Sequence, residues 1–408
     1  MVPGFRQDNK MAAIQDSPYP LVFPVANLPP AFMSPAANLD AQQLSIRTTA
    51  RALTGMQKEA VVVNRATGTC WRMVCDEGPY LHGSDLAPFP LAFFCTGMVS
   101  SYMSSLLQLL RQHGISHRNI SLLLHNRYSM EGSARAGTMT GSALPVELQL
   151  VIDSPVKASV LQQLLKEAVA ASPAAALLSG TYVSEFSLTH NGEQLETARV
   201  APTNQPLPLP PAGFAELSPV PAARFAADII RKHKTAAIVE GVTGGVGTSL
   251  AENQKRVLHI TGACTLRADG LKQIVIELHQ PLGSQFHFLS DDSAEVDGQE
   301  RAPCGLAYLS AGLAFCYMTQ IGRYATIMRR PLDAFRIVQD TCFEHPAAGK
   351  PAGMQPVVTH VFIDSKHSDE YARQVVDMSE QTCFLHAACR AVVPVELQEL
   401  CRAIPIIP

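Results

Sequence analysis

Charge is scarce in this chain: Asp, Glu, Lys and Arg make up 16% of its 408 residues, against about 25% in an average soluble domain. Neither sign dominates, since 32 basic and 35 acidic residues leave a net charge of -3. A nucleic-acid backbone needs clustered Lys and Arg, so no nucleic-acid partner is expected. Ten cysteines are too thinly spread for a disulfide-stapled secreted scaffold. Residues Met1 to Asp16 lack the basic region, apolar run and cleavage site of a secretory leader, which makes the cytoplasm the expected compartment. The glycine-rich stretch Gly241 to Ser249 lacks the G-K-S/T ending of a phosphate loop and reads as a flexible loop. Apolar residues, at 47%, are plentiful enough to exclude disorder over most of the chain.

Two stretches carry no charged residue at all, Leu86 to Leu110 and Ala302 to Gly322. Each is long enough to raise a membrane span. The first is interrupted by Pro88, Pro90, Ser100, Ser101, Ser104 and Ser105, the second by Gly305, Ser310, Gly312, Thr319 and Gln320. Both are expected to be helices buried on all sides within the protein, with no membrane partner.

Internal similarity organises the chain. A shift of 215 places Trp71 to Pro88 on Phe286 to Pro303 without a gap, and carries Pro90 to Met103 onto Gly305 to Met318. A shift of 211 then sets Val151 to Ser172 on Phe362 to Cys383. Each copy reads as a hairpin, a loop ending in proline, a long apolar helix, further strands, and a second helix entered through Asp153-Ser154 or Asp364-Ser365. This predicts an α+β unit with helices on one side of an antiparallel sheet. The expected organisation is a Pro-rich N-terminal arm and lead-in over 1–56, a first copy over 57–200, a Pro-rich extended spacer over 201–221, and a second copy over 222–408.

The copies differ at one pair of positions. Cys316 and Cys383 in the second align with Ser101 and Ser172 in the first. Two residues that change together point to a pair that works jointly, rather than to two small buried hydrophobes. Cys383, His386 and Cys389 have a spacing seldom used for zinc on one helical run, so no metal is expected, and no Ser-His-Asp arrangement is evident.

The proline-led apolar helix with an internal cysteine (APCGLAYLSAGLAFCYM), the strands after it, and the second cysteine beyond the helix that begins at IDS resemble the OsmC/Ohr family of osmotically inducible and organic hydroperoxide resistance proteins. The resemblance spans roughly 57–200 and 255–400. It implies two OsmC-like domains, antiparallel sheets with long central helices, forming an intramolecular pseudo-dimer whose first domain has lost its Cys pair. Cys316 would be the peroxidatic thiolate and Cys383 the resolving thiol, with a hydrophobic hydroperoxide as substrate, an external dithiol as reductant and no cofactor. Leu306, Phe315, Tyr317 and Met318 would line the pocket. The family's usual Glu, about ten residues before the reactive Cys, is replaced by Leu306, and by Leu91 in the first copy. A buried thiol without a cation is inert, so Arg323, about 10.5 Å further along the helix, and Arg65 or Arg72 of the first copy are candidate thiolate stabilisers, with Glu300 a substitute carboxylate. The alternative reading is a non-peroxidatic relative that binds a small hydrophobic ligand or uses its thiols for another transformation.

Overall fold

The computed structural model describes residues 13–33, 43–180, 182–220, 224–236, 255–294, 298–344 and 351–401. The Gly241 to Ser249 loop lies outside the described residues. The first half contributes β1 (Val22–Pro24), β2 (Gln43–Ala52), β3 (Lys58–Asn64), β4 (Cys70–Cys75), α1 (Pro90–Gln112), β5 (Arg118–Glu131), β6 (Thr140–Ala143), β7 (Val146–Asp153), α2 (Ala158–Ala171), α3 (Pro173–Ala176) and β8 (Glu185–His190). Two short strands, β9 (Glu193–Leu195) and β10 (Ala201–Pro202), lead out of it. The second half contributes β11 (Ile230–Lys234), β12 (Lys255–Leu266), β13 (Lys272–Gln280), β14 (Gln285–Ser290), α4 (Gly305–Ile327), β15 (Ala334–Glu344), β16 (Val358–Asp364), α5 (Asp369–Thr382), α6 (Phe384–Cys389) and β17 (Val395–Leu397).

The architecture is α+β with two sheets. One runs β1-β4-β3-β2-β15-β16-β8-β10, the other β11-β14-β13-β12-β5-β7-β17. The second order repeats the first with the halves of the chain exchanged. Each sheet joins the opening strands of one half to the later strands of the other, through β2 against β15 and β12 against β5. The expected purely antiparallel sheets are in fact mixed, because β8 runs parallel to β16 and β17 parallel to β7. Both closing strands arrive from the other half of the chain rather than through a hairpin, so no tight turn imposes an antiparallel run.

The stretch expected to be lead-in contains β2, a central strand of the larger sheet. Its run Ser45-Ile46-Arg47-Thr48-Thr49 obscures strand alternation in the sequence, yet all five side chains are buried. Arg47 is held by Asp340 of β15 through bonds of 2.8 and 2.6 Å. The stretch expected to be a spacer is also packed down. Phe214 lies 5.1 Å from the ring of Phe32, and the two join Phe23, Val61 and Val63 in a small core on the outer face of the larger sheet.

α1 lies against β12, β13 and β5, α4 lies against β2, β3 and β15, and the two helices pack on each other between the sheets. α1 is long and apolar enough to cross a membrane, but most of it is buried inside the protein. Gly97 and Gly312, which align under the 215 shift, let the helix backbones meet. A Cβ on Gly97 would stand 2.6 Å from the Gly305 carbonyl oxygen, and one on Gly312 would stand 2.6 Å from the Phe94 nitrogen. Gly312→Ala is therefore expected to cost about 1–3 kcal/mol, as overpacking in a closed core does, read as a lower urea midpoint. An unchanged midpoint would mean that the helices can part without penalty.

Candidate active site

Cys316 sits in the middle of α4, where its turn of helix is enclosed by protein. Cys383 occupies the joint between α5 and α6, where one residue leaves helical geometry at φ -74°, ψ 118°. Ser172 forms the same joint between α2 and α3 at φ -74°, ψ 130°. The joint turns the Cys383 side chain inward, and its sulfur lies 3.4 Å from that of Cys316. Closing to a disulfide of about 2.05 Å needs only a small side-chain movement. In the first half the aligned hydroxyls of Ser101 and Ser172 lie 2.7 Å apart. The same two positions meet in both halves, and only one pair can do redox chemistry.

Beside Cys316 is a narrow cavity of about 30 Å³. Its polar wall is one stripe of α4: Cys316, Thr319, Gln320 and Arg323, at the i, i+3, i+4, i+7 spacing that stacks side chains on one helical face. Its other polar residues, Glu77 and Tyr80, come from the loop after β4, and Leu81, Phe89, Pro90, Leu91, Leu258, Leu278 and Phe384 complete it. Both halves of the chain build this site. Glu77 accepts hydrogen bonds from Tyr80 Oη at 3.0 Å and Thr319 Oγ1 at 2.8 Å. Burial pushes its carboxyl up from the usual range, with the nearby Lys58 charge opposing. Arg323 is buried, which lowers its pKa, while attraction to Glu77 and Cys316 raises it. Its Nη1 donates to Gln320 Oε1 at 3.3 Å.

Burial pushes the Cys316 thiol well up, and contact with Cys383 pushes it further. The backbone N–H of Leu385 pulls it back down by favouring the thiolate, and the Glu77 charge pushes it up. Of the three arginines named as candidates, Arg323 is the one that lines the cavity with Cys316. The others are engaged elsewhere. Arg72 is bonded to Glu59 at 2.9 and 2.7 Å. Arg65 stands 3.7 Å from Asp340. Glu300 accepts from Thr67 at 2.9 Å and Thr69 at 2.5 Å.

The expected pocket lining is corrected too. Phe315 packs on Phe93, Tyr317 on Phe186 and His386, and Met318 is enclosed in the core, because these α4 residues point away from the stripe that bears Cys316. Leu306 packs against the core, whereas its counterpart Leu91 does line the cavity. Glu77 lies outside the sequence expectation, which places the carboxylate before the cysteine in the same half. The signal was present as a polar stripe on an otherwise apolar helix, which needs a partner from outside that helix. A Ser-His-Asp row also forms, with His190 Nε2 3.0 Å from Ser365 Oγ and Nδ1 2.7 Å from Asp369 Oδ1. The Ser365 hydroxyl also accepts the His367 N–H, and Asp369 opens α5, so the row ties β8 to that helix.

The matching place in the first half has different chemistry. Asp292, aligned with Glu77, takes Ser104 Oγ at 2.5 Å and Lys272 Nζ at 2.7 Å. Arg323 aligns with the exposed Gln108. Thiols and guanidinium are thus absent together. Residues 298–398 match the family described as OsmC-like protein. The second half contains an OsmC-like domain. That domain carries both cysteines and Arg323, while Glu77 reaches its site from outside the matched residues. No curated protein matches the chain. Among solved structures, an OsmC-like hydroperoxide resistance protein from Jannaschia sp. CCS1 is similar at 21% identity over 28% of this chain and 75% of that one, with a TM-score of 0.20.

Proposed function

We propose that the chain is a fused pair of OsmC-like halves in which the second half is a thiol peroxidase for organic hydroperoxides. The observation that carries this reading is the 3.4 Å contact between the Cys316 and Cys383 sulfurs, with Cys316 lining a cavity that also holds Arg323. The fused pair is supported by the exchanged strand orders of the two sheets.

In this reading the Cys316 thiolate attacks the outer oxygen of the hydroperoxide. The O–O bond breaks, the alcohol leaves with a proton, and Cys316 becomes a sulfenic acid. The Cys383 sulfur then attacks, water leaves, and a disulfide forms. An external dithiol restores both thiols by exchange. Arg323 stabilises the thiolate, and Leu81, Phe89, Leu258 and Leu278 receive the apolar end of the substrate. All ten cysteines are free, which suits a reducing compartment such as the cytosol. The cavity of about 30 Å³ must widen to admit either a hydroperoxide or a resident apolar ligand, since small-molecule sites run to about 300 Å³ or more. Recovery of a bound apolar ligand with no peroxide-driven disulfide would select the rival reading.

One equivalent of cumene hydroperoxide is expected to give a Cys316 to Cys383 disulfide, read by peptide mass spectrometry. Recovery of both thiols reduced would overturn the proposal.

A further inference from the structure

The outward face of the smaller sheet carries histidines on three neighbouring strands: His125 on β5, His259 on β12 and His279 on β13. His125 Nδ1 and His259 Nε2 are 3.0 Å apart, and the His259 and His279 rings lie 5.0 Å apart. A register shift between His259 and Ile260 leaves His279 as the extra residue on β13, since His259 pairs with Gln280 and Ile260 with Leu278. Bulges of this kind re-aim a side chain. The fold does not require imidazoles here. At the equivalent crossing in the larger sheet, the β15 and β2 partners are Asp340 and Arg47, where β5 and β12 have His125 and Thr261.

We propose that His125, His259 and His279 form a binding site for a divalent transition-metal ion of the zinc class. Two imidazole nitrogens on one tetrahedral zinc, each about 2.0–2.1 Å from it, lie about 3.3 Å apart. To admit the ion the hydrogen bond between the His125 and His259 nitrogens gives way, the donor ring moves its proton to its other nitrogen, and both rings turn so that the two lone pairs meet at the metal. His279 Nε2 lies 2.8 Å from Thr261 Oγ1. A hydrogen bond donated there fixes the tautomer and leaves Nδ1 as the ligating atom, as outer-shell hydroxyls and carbonyls do for metal-bound histidines. No three donor side chains among the described residues already converge on a metal position. The ion therefore gathers the third ring by a side-chain rotation, with water completing its shell.

The test is calorimetric titration of the untagged full chain with zinc chloride, paired with metal analysis after gel filtration. One zinc per chain is expected, with affinity at least tenfold lower in His259→Ala and unchanged in His287→Ala, which alters the separate His233 and His287 pair on the same sheet. A Cys316→Ser, Cys383→Ser chain is expected to bind zinc as the unaltered chain does. Absence of stoichiometric zinc, undiminished affinity in His259→Ala, or loss of the zinc with the two thiols would each overturn the proposal. Circular dichroism of His259→Ala separates lost ligation from lost folding, since an unfolded variant is replaced in the test by His279→Ala on the exposed edge of the cluster.

Discussion

Cys316→Ser is expected to reduce hydroperoxide consumption to the uncatalysed background, while Cys383→Ser keeps the first oxidation and loses turnover. The asymmetry follows from position. Cys316 lines the cavity beside Arg323 and receives the Leu385 N–H, whereas Cys383 reaches the cavity only through the Cys316 sulfur. The Cys383→Ser protein should consume one equivalent of hydroperoxide and hold a sulfenic acid on Cys316, trapped by dimedone and located by mass spectrometry. Serine is compatible with the Cys383 joint, because Ser172 adopts nearly the same backbone geometry. A sulfenic acid trapped on Cys383 in the Cys316→Ser protein, with none on Cys316 in the Cys383→Ser protein, would mean that the roles have been assigned the wrong way round.

Arg323→Met and Glu77→Gln are expected to move the Cys316 thiol in opposite directions. The guanidinium favours the thiolate and the carboxylate opposes it. Arg323 and the Cys316 thiolate attract each other, so Arg323→Met should slow iodoacetamide alkylation and peroxide reduction at pH 7.5. Glu77→Gln should speed alkylation, and glutamine can keep both contacts, its oxygen accepting from one hydroxyl and its NH2 donating to the other. In the unaltered chain the thiol is held above its ordinary range by burial first. Its reaction rate should therefore keep climbing from pH 7 to 9, without levelling near the ordinary thiol pKa of about 8.5. A plateau below pH 7, or parallel effects of the two substitutions, would show that these charges do not set the reactivity of Cys316.

Much of this arrangement is legible in the amino-acid order. The 215 shift anticipates that α1 and α4 are counterparts, and the joint replacement of Ser101 and Ser172 by cysteines anticipates that the two positions touch. Periodicity says which face of a strand is buried, but not whose edge the strand joins. The exchange of strands between halves, and the central place of Gln43–Ala52, were therefore hidden. Glu77 was hidden for a related reason. Its role exists only when the loop after β4 crosses to the other half's helix, a juxtaposition 242 residues long in sequence at the Thr319 contact.

The exchanged sheets also bear on how the chain is made. Arg47 and Asp340 face each other on adjoining strands although 293 residues separate them. A ribosome adding about 5–20 residues per second needs about 15–60 s to span that gap. Throughout that interval β2 has no partner on the side it later shares with β15, and β5 waits for the shorter time until β12 is made. An unpaired strand edge invites association with other chains. Joining two halves in one polypeptide makes the partner certain to arrive, but it also makes the first half wait for it.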